Sequence, residues 1–211
     1  MKCINSMKTI FLLVAMLMIN NLVYSQTSDI SPEAMESYKS RCIEYMNAFQ
    51  KGLEIIADKK KSNAVKQHQK SVLLTFFMGE GEPYTDIDGR RYPAVEMEIS
   101  TVRYGNVIEK KSIPLKKYLN NLQELRYKSV RITQAKTCVV SNLYKVADNR
   151  YEATATFFQY FEGERGDGTF YRDKTQKDVK VFLTKVVDGN LGTFWDLKFG
   201  DIDVVETVRI D

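Results

Sequence analysis

The chain has 211 residues, 44% of them hydrophobic, and a formal net charge of +4 at pH 7. This length suits one domain with a sizeable core, and the near balance of 31 basic against 27 acidic residues gives no electrostatic footprint for nucleic acid or an anionic membrane. One histidine excludes a multi-histidine zinc site, and the three cysteines lack the spacing of the usual zinc ligands.

The N-terminus has the order of segments that is typical of a secretory signal peptide. Lys2 and Lys8 precede an apolar stretch over residues 10–23, and residues 23–25 fit a cleavage site. The stretch is shorter than the roughly 20 apolar residues of a membrane span, so we expect no stable membrane anchor after cleavage. Removal of residues 1–25 would lower the net charge to +2 and place the protein outside the cytoplasm, in the periplasm or secreted. The remainder is predicted as a polar lead, residues 26–30, and a single domain, residues 31–211.

Helices are predicted in the first half of the mature chain. Ser31-Pro32-Glu33 has the hydroxyl cap, the proline and the acid of a helix start. Apolar residues then recur every three or four positions as far as Ile56, which predicts a long first helix. The pattern favours a shorter second helix within residues 65–78 and predicts a third over residues 112–127.

Strands are predicted after the second helix and in the last third of the chain. Apolar and acidic residues alternate from Ala94 to Val102, and Gly105-Asn106 is a suitable turn for a return strand as far as Lys111. Turn-forming sequences then separate four long β segments, which predict an antiparallel meander. These segments are Val130–Ala147, Arg150–Glu162, Thr169–Val187 and Thr193–Val205.

This order of elements resembles that of the nuclear transport factor two-like superfamily, also called SnoaL-like or ketosteroid-isomerase-like. The resemblance covers the mature chain and implies an α+β cone fold, a cystatin-like roll in which N-terminal helices pack on a strongly curved antiparallel sheet around a pocket. Its members include isomerases, dehydratases, transport adaptors and small exported domains, so it implies no single activity. The signal and the glutamine after its cleavage site resemble those of exported Bacteroidetes proteins.

Candidate site residues lie on the predicted strands and the first helix. Asp196, beside the single tryptophan, is a weak candidate for a catalytic carboxylate, because a strand aspartate between aromatic residues more often faces outward. Gln159 shares strand parity with Phe157 and Phe161, so it either lines a pocket or ties strands together. The predicted pocket-lining residues are Tyr45, Gln159 and Trp195.

Two cysteines remain after signal removal, and an exported protein permits them to pair. A disulfide between Cys42 and Cys138 would stabilise the fold by about 4–5 kcal/mol through loop closure. The alternative is two buried free thiols, because cysteine packs well as a small apolar side chain.

Other sequence features give no reaction. His68 lies in a polar run that predicts a solvated helix face, which makes it a poor catalytic base. Arg165-Gly166-Asp167 matches an adhesion tripeptide, but the chemistry of a tight turn already explains these residues. Neither a calcium loop nor a phosphate-binding glycine loop is recognisable, so no metal and no cofactor are predicted.

Three functions are therefore compared. The preferred prediction is a noncatalytic domain that binds a small ligand or a partner protein of the cell envelope. The second is an isomerase- or dehydratase-like enzyme, which requires an inward carboxylate with a raised pKa near a pocket tyrosine. The third is an interaction module that forms a homodimer or docks on a partner through its sheet, with Phe158 and Tyr160 as exposed aromatic residues.

Overall fold

The computed structural model describes residues 30–103 and 106–210. The chain divides into Met1–Ser31, of which the last two residues are described, and the unit Pro32–Asp211 that carries every element named below. The predicted signal peptide lies outside the described residues. In chain order the elements are α1 Pro32–Ala57, α2 Asn63–Leu74, a 3₁₀ turn Met78–Gly81, β1 Tyr84–Thr85, β2 Arg91–Tyr92, β3 Glu96–Arg103, β4 Asn106–Pro114, α3 Leu115–Glu124, β5 Ser129–Val140, β6 Tyr144–Ala147, β7 Arg150–Glu164, β8 Phe170–Asp188 and β9 Gly192–Arg209.

The helices begin and end for local reasons that the sequence carries. Helix α1 starts at Pro32 as predicted, with Glu33 in its first turn. Helix α2 is capped by Ser62, whose hydroxyl accepts a hydrogen bond from the Val65 amide. The predicted third helix over residues 112–127 is too long at both ends, because β4 extends through Pro114 and α3 ends at Glu124. None of these helices is long and apolar enough to cross a membrane.

One sheet of seven strands dominates the described part of the chain. Its order is β4-β3-β9-β8-β7-β5, and β6 pairs with the remaining part of β7. The pairs among β5, β7, β8 and β9 are antiparallel, which confirms the predicted meander. A parallel bridge between Met97 and Ile202 joins β3 to β9, a non-local pairing that the sequence pattern did not indicate.

The prediction of one continuous strand over Val130–Ala147 is wrong. The structure has β5 and β6 there, with a break at residues 141–143. Ser141 replaces ladder contacts at this break, since its hydroxyl accepts from the Thr154 amide at 2.9 Å while its own amide donates to the Thr154 carbonyl. Leu143, the last residue of this break, is buried, and burial of a leucine stabilises the fold by about 2 kcal/mol.

The helices lie on one face of the sheet. Helix α1 contacts β5, and an aromatic series runs from Phe49 through Phe77 to Phe199 with centroid distances of 5.2 and 5.5 Å. The pairing of β8 with β9 shifts register twice, because β9 carries an extra residue opposite Gln176–Lys177 and another opposite Val179–Val181. Such bulges bend a strand and increase its twist. The prediction of an α+β fold with helices packed on a strongly curved, mainly antiparallel sheet is confirmed.

Candidate active site in the inner cavity

A cavity of about 470 Å³ lies between α3 and the inward faces of β3, β7 and β8. We call it the inner cavity. A smaller recess of about 110 Å³, here the lysine recess, continues from it and shares five of its lining residues. The shared residues are Ile99, Ser100, Tyr118, Phe161 and Asp173. Together the two spaces combine an aromatic wall, formed by Tyr127, Phe161 and Tyr171, with several polar and charged side chains.

The polar groups of the site come mainly from one strand. Asp173, Thr175 and Lys177 alternate along β8, so they share one face of it. The same parity continues into Val179 and Val181, which are fully buried. The inward face of β8 therefore changes from apolar core to ionisable site at Lys177.

Asp173 lines both the inner cavity and the lysine recess. Burial raises the pKa of its carboxyl above the ordinary value, while hydrogen bonds from Tyr171 and Thr175 and the charge of Lys177 oppose that rise. The Thr175 Oγ1 to Asp173 Oδ1 distance is 3.4 Å. Asp173 is thus an inward carboxylate whose pKa is moved toward neutral pH.

Lys177 is 4% exposed, and its ammonium lies in the lysine recess. Its Nζ is 3.1 Å from Met97 Sδ and 3.5 Å from the Glu98 carbonyl oxygen, and it sits 5.5 Å from the Tyr118 ring centroid. Thioether sulfur is a weak acceptor and the carbonyl contact is long. Burial lowers the pKa of Lys177 to about 8, although the charges of Asp173 and Glu98 raise it.

Two tyrosine hydroxyls accompany these charged groups in the site. Burial raises the pKa of Tyr118 to about 12, and a hydrogen bond with Gln159 opposes that rise. Burial, together with the charge of Asp173, raises the pKa of Tyr171. Both phenols therefore stay protonated at neutral pH and can donate hydrogen bonds.

Hydroxyl groups connect three strands behind Asp173. Ser100 Oγ lies 2.6 Å from Thr207 Oγ1, and Thr207 Oγ1 lies 3.1 Å from Thr175 Oγ1. Thr175 in turn contacts Asp173. This series joins β3, β9 and β8 and fixes the direction of the Thr175 hydroxyl toward the carboxylate.

The aromatic wall depends on a glycine. Tyr127 meets Phe161 edge to face at 5.6 Å, and Phe161 lies 6.0 Å from Tyr171. A Cβ at Gly163 would lie 2.7 Å from Tyr127 Cδ1, closer than real Cβ contacts. The absence of a side chain at Gly163 in β7 therefore allows the Tyr127 ring to approach the strand closely and contribute to the aromatic wall.

The structure places the predicted pocket residues in different surroundings. Gln159, 6% exposed, lines the lysine recess and bonds with Tyr118. Tyr45 stacks on Phe76 at 5.0 Å, and Trp195 meets Tyr151 edge to face at 5.3 Å.

The weak catalytic candidate Asp196 is half-buried on β9, opposite Thr184 on β8. Asp196, Tyr45 and Trp195 do not line the inner cavity or the lysine recess. Any binding or catalytic role of these residues, and of Gln159, stays a prediction.

Phe158 and Tyr160 lie on the other face of β7 from Gln159. Phe158 is half-buried, Tyr160 is exposed, and Lys174 Nζ lies 5.0 and 5.9 Å from the two ring centroids. Their role in association with a partner or a second copy stays a prediction.

Cys42 and Cys138 are buried free thiols, so the structure has the second of the two predicted arrangements. Burial raises the pKa of Cys42 to about 12, with a further rise from Cys138, and it raises the pKa of Cys138 to about 11. The influence of Cys138 on Cys42 indicates that the two thiols are neighbours.

The remaining polar motifs add no second site. His68 is exposed on α2. Asp167 accepts hydrogen bonds from the amide and hydroxyl of Thr169, as the turn chemistry predicts, while Arg165 lines the inner cavity. Within the described ranges no group of three or more His, Cys, Asp or Glu side chains is placed to hold a metal ion.

The sequence interpretation missed Asp173 and Lys177, the two charged residues that β8 contributes to the site. One signal was present: both share strand parity with Val179 and Val181, so an alternating strand places them on the apolar side. Charged residues on the face of a strand that otherwise carries apolar side chains have two explanations. Either the strand extends beyond the core at that point, or the charged residues belong to a buried functional site. Only the helix that covers β8 decides between these two outcomes.

Comparisons of this chain with known proteins found only low similarity, to a few solved structures. No protein-family model matches it, and no curated protein matches it. A structure provisionally assigned as a scytalone dehydratase, from Novosphingobium aromaticivorans DSM 12444, is 11% identical with a TM-score of 0.43, over 84% of this chain and 91% of that one.

Two further structures are hexachlorocyclohexane dehydrochlorinases. LinA type 2 is 11% identical with a TM-score of 0.39, over 82% of this chain and 89% of that one. LinA-type3 from Novosphingobium barchaimii LL02 is 12% identical with a TM-score of 0.37, over 81% and 90%. Similarity at this level assigns no activity to this chain.

Proposed function

We propose that this protein is an enzyme that transfers a proton to or from a small ligand in the inner cavity, in the manner of an isomerase or a dehydratase. The observation that carries the proposal is Asp173, an inward carboxylate with a raised pKa beside the Tyr171 and Tyr118 hydroxyls. This is the feature that the enzyme hypothesis required of the fold. We therefore prefer it to the noncatalytic binding domain.

The residues divide into a proton acceptor and groups that stabilise charge. Asp173, once ionised, accepts a proton from a carbon or hydroxyl of the ligand, and its raised pKa brings it closer to the operating pH. Tyr118 donates a hydrogen bond to an oxygen that gains negative charge, while the Tyr171 hydroxyl bonds Asp173 and orients the carboxylate. The Lys177 ammonium adds a positive charge within the same space.

The shape of the site favours a small ligand with an apolar body. Tyr127, Phe161 and Tyr171 provide ring surfaces, and Asp173, Gln159 and Lys177 provide polar groups that line the lysine recess. A ligand with one oxygen function and a ring or short chain would match this division. We place the activity outside the cytoplasm, in the periplasm or secreted, on the strength of the signal-like residues 1–25, and we infer an exported protein of the Bacteroidetes type.

The test is hydrogen exchange at carbon. The mature chain is incubated in D₂O with cyclohexanone, 3-phenylpropanal and phenylacetone, and NMR follows the loss of the α-proton signals. We expect catalysed exchange with at least one compound, and a fall of about 10²-fold or more in Asp173→Asn.

Asp178→Asn is the matched control, because Asp178 lies on the opposite face of β8 and bonds Thr156 Oγ1 at 2.6 Å. Its exchange rate should stay within a few-fold of wild type. Equal rates for wild type and Asp173→Asn with every compound would refute the enzyme and favour the binding domain.

A further inference from the structure

Lys177 is placed unlike the other groups of the site. It is anchored on β8, lies within the protein rather than at its surface, and points its Nζ into the lysine recess. Among the described residues, Nζ contacts the Met97 thioether, the Glu98 carbonyl at a long distance and the Tyr118 ring at 5.5 Å, and it makes no hydrogen bond with a charged acceptor. Three donor positions of the amine are therefore poorly satisfied by the protein itself.

We propose that Lys177 forms an imine with an aldehyde or ketone that enters the inner cavity, so that carbonyl compounds are the substrate class. The inference rests on the proposed function, because it uses the same cavity and assigns Asp173 a proton transfer. It adds a covalent step and a nucleophile that proton transfer alone does not require.

The space around Lys177 suits this reaction. The recess opens into the inner cavity through shared walls, so a carbonyl carbon can approach Nζ while the body of the ligand lies against Phe161 and Tyr127. Gln159 also lines the recess, and its side-chain amide can donate a hydrogen bond to the carbonyl oxygen. The ionisable groups that face Nζ are Asp173 on its own strand, Glu98 of β3 and Tyr118 of α3.

The reaction is balanced without an additional reagent. The ammonium gives one proton to Asp173 or to solvent, and the nitrogen lone pair adds to the carbonyl carbon as the carbon–oxygen π bond opens. The oxygen takes a proton to form a carbinolamine, which then loses water as the carbon–nitrogen double bond forms. A depressed lysine pKa assists because the neutral amine is the nucleophile, and burial supplies that depression here.

Reductive trapping tests the imine directly. The mature chain is incubated at pH 7.5 with 3-phenylpropanal and sodium cyanoborohydride, which delivers hydride to an imine and makes the bond permanent. Peptide mass mapping should find the aldehyde mass less one oxygen on Lys177. Its labelling should exceed that of surface lysines about tenfold or more, because its neutral fraction at this pH is about a hundredfold larger.

Matched variants distinguish labelling in the lysine recess from labelling of surface lysines. Lys177→Arg keeps the charge and removes the reactive amine, and Lys177→Met provides a second test if the arginine does not fit. Both should lose the labelled site. Lys180→Arg is the control, because Lys180 is exposed on the opposite face of β8 and pairs with Asp201 at 3.1 Å. It should leave labelling at Lys177 unchanged.

The outcomes distinguish this inference from the proposed function. Labelling spread over surface lysines, with Lys177 unlabelled in correctly folded wild type, overturns the imine. If carbon exchange still depends on Asp173 in that case, the proton-transfer function stands alone. Labelling at Lys177 without any Asp173-dependent exchange would support the imine and refute the proton-transfer function.

Discussion

Lys177 follows Asp173 by four residues on the inward face of β8, and each side chain moves the pKa of the other toward the charged form. In both cases burial acts in the opposite direction and is the larger effect. The result is a carboxyl with a raised pKa and an amine with a pKa lowered to about 8 in one cavity. These two pKa values lie closer together than those of free aspartate and lysine side chains. Transfer of a proton between the two groups therefore requires less free energy than it would between the free side chains.

Lys177→Met should stabilise the folded protein at pH 7. Holding the ammonium in the recess is unfavourable, and a pKa lowered from 10.5 to about 8 corresponds to a difference of roughly 3 kcal/mol between the charged and neutral forms. We expect the variant to gain about 1–3 kcal/mol in the free energy of unfolding, measured by urea denaturation. A large loss of stability would show that the ammonium has a strong partner in the fold.

The difference in stability between the wild type and Lys177→Met should depend on pH with a defined sign. Below about pH 8 Lys177 is charged in both folded and unfolded chains, so the penalty is fully present. Between about 8 and 10.5 the folded state loses the proton first, and the wild-type stability rises relative to Lys177→Met. Denaturation curves of both proteins at pH 7, 8, 9 and 10 measure this convergence, and a constant gap would contradict the lowered pKa.

Thr207→Val should weaken the hydroxyl series that joins β3, β9 and β8. The change removes the partner of Ser100 at 2.6 Å and of Thr175 at 3.1 Å in a region where Thr207 is 5% exposed. Each buried hydroxyl left without a partner costs about 1–3 kcal/mol. We expect thermal and urea denaturation to show a loss in that range. The exposed Thr193→Val should change stability by less than about 0.5 kcal/mol.

Gly163→Ala should damage the wall of the inner cavity. Its Cβ would lie 2.7 Å from Tyr127 Cδ1, so the ring must leave its edge contact with Phe161. Such overpacking costs about 1–3 kcal/mol. Gly166→Ala is the control, since a Cβ there meets no atom within 4 Å. The prediction is wrong if denaturation and carbon-exchange rates are the same in both variants.

Cys42 and Cys138 should react slowly with iodoacetamide while the protein is folded. Both thiols are buried and have pKa values raised to about 12 and 11, so the thiolate fraction at pH 8 is small. Labelling should accelerate by about 10²-fold or more in urea. For protein exported through an oxidising compartment, mass spectrometry without prior reduction would detect the disulfide form as a mass lower by two hydrogens. Rapid labelling of both folded thiols would contradict their burial.

Much of the architecture could be predicted from local patterns. The apolar face of α1, the proline at its start and the turns between the long strands depend on neighbouring residues, so the sequence alone contains their signals. The inward parity of Tyr151, Ala153 and Phe157 was predictable for the same reason, and all three are buried. The break at residues 141–143 was not, because the Ser141 bonds involve Thr154 on another strand.

The site itself depended on contacts between distant segments. The sequence by itself determined that Asp173, Thr175 and Lys177 share one face of a strand, because side chains alternate. Only the tertiary structure decided that this face closes into a cavity, because Tyr118 of α3 and Met97 of β3 come from segments far along the chain. These residues exclude water from Lys177 and Asp173, and the resulting desolvation shifts both pKa values. A local sequence pattern cannot predict this effect.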